Sequence, residues 1–179
     1  MPKQKDKKEY VPKKTADLLP FARMEKGIFL MKNGTCMDIF RIITKDLISA
    51  SDSDIEFDML QFEKFYKMFS DDCKIIGINF PTDTNAQQQY YQHLMNTTEN
   101  PLFREMLQQK YDELVDVNLY YTDREYYIMV FCANYEKYLE SYNTITVTLK
   151  NVGLIQEIEI KKKVEILTKL CNKSTSIYG

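Results

Sequence analysis

The sequence has no tryptophan, a single histidine, five glycines, and no stretch approaching the ~20 apolar residues that cross a bilayer. Each scarcity removes a class of function. A phosphate-binding P-loop needs glycines whose bare amides approach the phosphates, followed by Lys and Ser/Thr. None of Gly27, Gly34, Gly77, Gly153 and Gly179 is followed by Lys, so the sequence holds no Walker A motif. With His93 alone there is no His-Glu-x-x-His metal helix, and no Gly-x-Ser-x-Gly elbow occurs. The neighbours of His93 suggest an amphipathic helix rather than a metal site. Cys36, Cys73, Cys132 and Cys171 are widely spaced with no Cys-x-x-Cys pair, so we expect buried free thiols rather than disulfides or metal ligands. The N-terminus lacks the apolar core of a secretory signal, and we expect a cytoplasmic protein.

What is present is globular in character. Hydrophobic residues make up 44% of the chain, with 13 Tyr and 10 Phe. A length of 179 residues suits one core, which we place over residues 15–172, with a flexible end at 173–179. The net charge of -2 gives no electrostatic case for a dedicated nucleic-acid binder. Charge is nevertheless uneven. Residues 1–14 carry Lys3, Lys5, Lys7, Lys8, Lys13 and Lys14 against Asp6 and Glu9, a disordered basic tail of about +4. Such a tail is either a solvated leader or a weak contact for anionic lipid or DNA.

The element order follows from periodicity. Leu18, Leu19, Pro20 and Phe21 read as an extended lead-in. Two β-prone runs flank Asn33-Gly34, a dipeptide suited to a type I′ two-residue hairpin turn. Ser53 and Glu56 have capping-box spacing ahead of a helix over about 54–69, with Ile55, Met59, Phe62, Phe65, Tyr66 and Phe69 as its apolar stripe. Residues 73–80 read as a buried strand ended by Pro81. Two helices, about 84–97 and 101–117, are divided at Asn100-Pro101, the second with Leu102, Met106, Tyr111 or Lys110, Leu114 and Val117 on or near one face. Residues 124–134 form the strongest, central strand. Residues 135–150 fit a helix although Thr144 to Thr148 alternate like a strand. A short strand and a closing helix over about 161–170 complete an α+β fold: a mixed β-sheet with helices mainly on one face, a ferredoxin-like sandwich.

Candidate chemistry is sparse. Asp71-Asp72, Asp52-Asp54 and Glu157-Glu159 are carboxylate clusters at element edges, where solvated charge is the ordinary reading. Tyr120, Tyr121, Tyr126 and Tyr127 offer either a stacking platform for single strands or a protein interface, and the scarcity of Lys and Arg among them favours the interface. Tyr120 and Tyr121, with the six tail lysines, are the candidate interaction residues.

The stretch TADLLPFARMEKGIFLMKNGTCMDIFRI resembles the opening of conjugative-transfer ATPases of the CagE/TrbE/VirB class, the motors of type IV secretion. Leu18-Leu19-Pro20, Gly27 to Met31, Asn33-Gly34 and Met37 to Ile42 stand where that class has a lead-in, a strand, a turn and a second strand. The Phe62 to Phe69 helix, KIIGINF and YYIMVF continue the order, so the resemblance covers about residues 15–172. The class keeps its nucleotide site in a C-terminal motor domain that this sequence does not contain, so no catalytic residue, cofactor or metal is carried over. The resemblance implies a non-catalytic domain at the inner face of the cell membrane that docks the motor against secretion-channel proteins and helps it oligomerise. A stand-alone DNA-binding accessory protein of a mobile genetic element is the alternative.

Overall fold

The computed structural model describes residues 19–172. In chain order these form β1 (Phe21–Glu25), β2 (Ile28–Met31), β3 (Cys36–Ile42), α1 (Asp52–Met68), β4 (Asp72–Pro81), α2 (Asn85–Thr97), α3 (Pro101–Tyr120), β5 (Thr122–Cys132), α4 (Tyr135–Ile145) running into a π-helical turn (Thr146–Lys150), β6 (Ile155–Glu157) and α5 (Ile160–Cys171). The calls on residues 1–18 and 173–179, including the basic tail and its six lysines, lie outside the described residues.

Two turns set the register of the first three strands. Glu25 pairs with Ile28 across Lys26-Gly27, whose φ angles of 49° and 83° make this the type I′ two-residue turn. Asn33-Gly34 works differently. Leu30 pairs with Cys36, Gly34 N donates to Met31 O at 3.0 Å, and Met31 N donates to Thr35 O at 2.8 Å. Only Gly34 of the pair has positive φ, at 88°, so this is a three-residue turn ending in a left-handed glycine. The expected hairpin is present, but the expected turn type belongs to Lys26-Gly27. Asn33 Oδ1 accepts from Thr35 N at 3.1 Å and Thr35 Oγ1 at 2.8 Å, which holds Asn33 with its side chain folded onto the turn.

All strand pairs are antiparallel, in the order β1-β2-β3-β5-β4, with β6 also paired to β3. Since β5 occupies one side of β3 throughout, β2 and β6 share the other side, β2 reaching Met37 and β6 starting at Phe40. Strands β6-β3-β5-β4 with α1 and α4 therefore form the ferredoxin-like β-α-β-β-α-β core. The sheet is antiparallel rather than mixed, because β3 and β4, which run the same way, are separated by β5. The 73–80 run is correspondingly an edge strand. It pairs with β5 alone among the described strands and alternates exposed and buried positions, instead of being buried throughout.

Helices α1 and α4 cover one face: Phe65 of α1, Phe69 at its C-terminal cap and Ile145 of α4 pack with Phe40, Ile128 and Val130. Helix α5 covers part of the other, placing Ile166 among Met37, Ile39, Tyr127 and Met129. Burial of each such side chain contributes about 1.5–3 kcal/mol. Helix α1 starts two residues earlier than its capping signal suggested, because Ser51 rather than Ser53 is the cap: Ser51 Oγ accepts from Asp54 N at 3.2 Å. Asn100 caps α3 by accepting from Leu102 N at 3.0 Å, with Pro101 at the first helical position. The β-branched run Thr144 to Thr148 stays helical but widens into the π turn. Thr148 Oγ1 donates back to Thr144 O at 2.7 Å, and Thr148 and Leu149 are fully buried.

Candidate functional site: a helical arm, an acidic helix face and an internal charge lattice

Helices α2 and α3 interrupt what is otherwise one long hairpin, since β4 and β5 pair from Asp72↔Phe131 to Pro81↔Thr122. They pack chiefly on each other and stand at the tip of that hairpin as an arm. The base is pinned by Thr84, whose hydroxyl donates to Leu114 O at 2.8 Å and accepts from Gln88 Nε2 at 2.9 Å. Beyond it the arm is thinly packed: α2 buries no residue and α3 buries only Leu107. Leu102 and Met106, which the spacing placed on an apolar face, are exposed because the buried side of α3 is turned to Leu107. Phe103, Leu119 and Tyr90 are exposed with them. His93 lies exposed on α2.

The four tyrosines are not brought together as a platform. Tyr120 and Tyr121 are 78% and 64% exposed at the foot of the arm, whereas Tyr127 is completely buried and Tyr126 is half-buried on the opposite face of β5. Alternation along the strand separates Tyr126 from Tyr127 by construction.

Helix α1 carries a second exposed apolar surface. Phe65 and Phe69 enter the core, but Met59 and Tyr66 of the expected stripe are exposed, together with Phe57, Leu60 and Met68. Ile55, Met59 and Leu60 floor a shallow trough whose rim is Asp52, Glu56 and Glu63. Over Asp52–Met68 five carboxylates face two lysines, a net charge of about -3.

The interior contains a charge lattice that sequence spacing did not reveal. Asp38 and Lys163 are 3% and 6% exposed and form an ion pair. Lys163 Nζ also donates to Gly27 O at 2.8 Å, Tyr138 Oη donates to Asp38 Oδ2 at 2.7 Å, and Ile39 N donates to Asp38 Oδ1 at 2.7 Å. The available signal was Asp38 itself, a lone carboxylate inside an apolar strand, which must find a partner when buried. Nearby, Glu125 takes Arg41 at 3.2 Å, Lys162 at 2.9 Å and the Tyr127 hydroxyl. Burial pushes Glu125 up, but the hydrogen bonds from Tyr127 and Lys162 and the two cations hold its carboxyl below the usual range. Lys150 and the Tyr142 hydroxyl hold Glu157 down in the same way. Burial first, and Asp38 or Glu125 second, push the Tyr138 and Tyr127 phenols up; burial pushes the Cys132 thiol up to about 11. Every one of these shifts moves the group's titration further from pH 7, the pattern of a locked framework rather than of groups poised to exchange protons.

The remaining candidates sort simply. Asp52 and Asp54 begin α1, Asp71 accepts from the Ser141 hydroxyl, and Glu157 is engaged with Lys150. All four cysteines are free; Cys36 and Cys132 are buried, Cys73 is half-buried, and Cys171 is exposed because the last turn of α5 leaves it on the outer side. Among the described residues no group of three or more His, Cys, Asp and Glu is placed to hold a metal ion, and no helix is long and apolar enough to cross a membrane.

Comparison with known proteins ties this architecture to a family. The chain is 23% identical over 100 residues to an uncharacterized protein of Bacillus anthracis, pXO2-10, a match covering 55% of this chain and 45% of the relative. The chain thus aligns with less than half the length of that relative. No solved structure matches. Residues 21–158, from the start of β1 to just past β6, match the family described as Archaeal TraC-like domain. The ferredoxin-like core, the first hairpin and the helical arm all fall inside that match, so the chain belongs to the archaeal TraC-like domain family and is a conjugation-related domain.

Proposed function

We propose that the chain is a non-catalytic docking domain of a conjugative DNA-transfer ATPase of the CagE/TrbE/VirB class, working at the cytoplasmic face of the inner-membrane channel. One observation carries this reading: a two-helix arm, inserted at the tip of the β4–β5 hairpin, that buries one residue and exposes Leu102, Phe103, Met106 and Leu119. Large apolar side chains on a thinly packed projection are placed for contact with another protein rather than for stability of their own fold. The family supports the conjugation context, and the sequence holds no phosphate-binding glycine loop, so the energy source is assigned to a motor domain. Channel proteins and that motor domain are the partners in this reading.

The alternative, a stand-alone DNA-binding accessory protein, draws less support. Tyr120 and Tyr121 are exposed but are followed by Thr122 and Asp123, and the whole chain is net acidic. The test is direct binding of this chain to a separately produced nucleotide-binding motor domain of a TraC-type ATPase, read by light scattering after gel filtration. A complex that is lost in Phe103→Glu/Met106→Glu supports docking through the arm. Absence of a complex, together with salt-sensitive binding of single-stranded DNA that Tyr120→Ala/Tyr121→Ala removes, supports the alternative.

A further inference from the structure

We propose that the basic N-terminal segment of this chain docks in the acidic trough of α1, in its own or a neighbouring copy. The trough has a definite charge pattern. Its apolar floor, Ile55, Met59 and Leu60, lies between Asp52 and Glu56 toward one end and Glu63 at the other. Glu63 is bonded to Lys67 in the next turn, but the carboxylates of Asp52 and Glu56 have no hydrogen-bond or ion-pair partner among the described residues. Met59 and Leu60 are left facing solvent.

The segment outside the described residues carries the inverse pattern. Lys7-Lys8-Glu9-Tyr10-Val11-Pro12-Lys13-Lys14 has an apolar centre of Tyr10, Val11 and Pro12 with a lysine pair on either side. The two patterns agree in length. Asp52 and Glu63 are eleven helical residues apart, about 16 Å along the axis. Lys8 and Lys13 are five residues apart, about 16 Å when extended. A β-prone or proline-containing peptide laid along α1 therefore sets lysines against carboxylates at both ends while Tyr10 and Val11 cover Met59 and Leu60.

Reach permits this. The chain is described from Leu19, just ahead of β1, and the residues back to Lys8 extend up to about 35 Å. That is close to the roughly 40 Å width of a domain this size, so the segment reaches α1 from its own Leu19 or from that of an adjacent copy. The other acidic surface, the α2–α3 arm, is a poorer match. Its Asp112 already takes Gln108 at 2.9 Å and its Glu113 takes Lys110 at 2.7 Å. Docking on α1 removes from solvent an apolar surface that is otherwise uncovered, and it competes with any contact of the same lysines with phosphate.

The test uses the full chain and zero-length carbodiimide coupling of lysine to carboxylate, mapped by mass spectrometry. The expected crosslinks join Lys7, Lys8, Lys13 or Lys14 to Asp52, Glu56 or Glu63, and fall in high salt. Asp52→Lys/Glu56→Lys removes two of the coupling carboxylates, so the readout in that variant is Glu63, whose crosslinks to the same lysines should fall about fivefold, the scale of two or three exposed ion pairs. Adding Lys7→Glu/Lys8→Glu/Lys13→Glu/Lys14→Glu to that variant should restore association, read as protection of residues 1–14 from limited proteolysis. Crosslinks scattered over the surface or concentrated on the arm would overturn the proposal. So would protection of residues 1–14 that appears only with phosphatidylglycerol vesicles or with DNA, which would assign the segment to an anionic partner instead.

Discussion

Lys163 of α5 and Asp38 of β3 meet as a buried ion pair although their helix and strand side chain serve opposite faces of the sheet. Helix α5 packs on the face of Met37 and Ile39, whereas Asp38 accepts from Tyr138 of α4 on the other. The lysine passes where β2 pairing has ended at Met37 and β6 pairing has not yet begun at Phe40. Helices on both faces are thereby tied through one carboxylate. Lys163→Met leaves that carboxylate buried and unpaired and should cost about 3–5 kcal/mol in urea unfolding. Asp38→Leu combined with Lys163→Met should recover most of the loss, because neither charge is then stranded; a double variant as unstable as the single would show that shape, not charge, dominates the site.

Glu125 makes the sheet acid-sensitive. Its folded-state value lies below the ordinary carboxylate value of 4.5, so the stability it contributes is present above that value and is lost as pH falls through the lower folded value. Glu125→Gln should lower the melting temperature at pH 7 and flatten its decline between about pH 5 and 3. A parallel decline in both proteins would place the acid response elsewhere.

Substitutions at the left-handed turn positions should differ in sign according to the residue introduced. Gly27→Val and Gly34→Val put β-branched residues at φ of 83° and 88° and should each destabilise by about 1–3 kcal/mol. Lys26→Asn should instead stabilise by a few tenths to ~1 kcal/mol, since asparagine tolerates the φ of 49° that lysine adopts there. Thermal melts of the three variants read both signs.

The arm separates docking from folding. Phe103→Glu with Met106→Glu changes exposed positions and should leave stability within about 0.5 kcal/mol while abolishing motor-domain binding. Leu107→Ala, one turn from Phe103 but buried, should cost about 2–5 kcal/mol and weaken binding only through loss of the arm's structure. Hydrogen exchange of α2 and α3 distinguishes the two.

Thiol reactivity should follow burial. Cys171 is expected to react with an aromatic disulfide reagent in the native protein, Cys73 more slowly, and Cys36 and Cys132 only after unfolding. Cys132 is held up to about 11 by burial, which withholds the thiolate at neutral pH. Fast labelling of Cys132 would mean that α4 opens readily from the sheet.

Local chemistry determined much of this protein without help from the fold. The hairpin about Asn33-Gly34, the helix break at Asn100-Pro101, the central strand ending near Cys132 and the closing helix after Glu159 follow from turn residues, proline geometry and apolar periodicity, all of which act over a few residues. The ferredoxin-like order was legible for the same reason, since alternation of strand and helix constrains the topology. Tertiary structure decided the rest. Which glycine turn became type I′, which face of α3 turned inward at Leu107, and whether β4 lay at the centre or the edge depend on strands distant in sequence. The Asp38–Lys163 pair, separated by 125 positions, exists only because β2 and β6 stop short of each other beside β3. Periodicity records which residues prefer to be buried, but it carries no information about the partner that makes burying a charge tolerable.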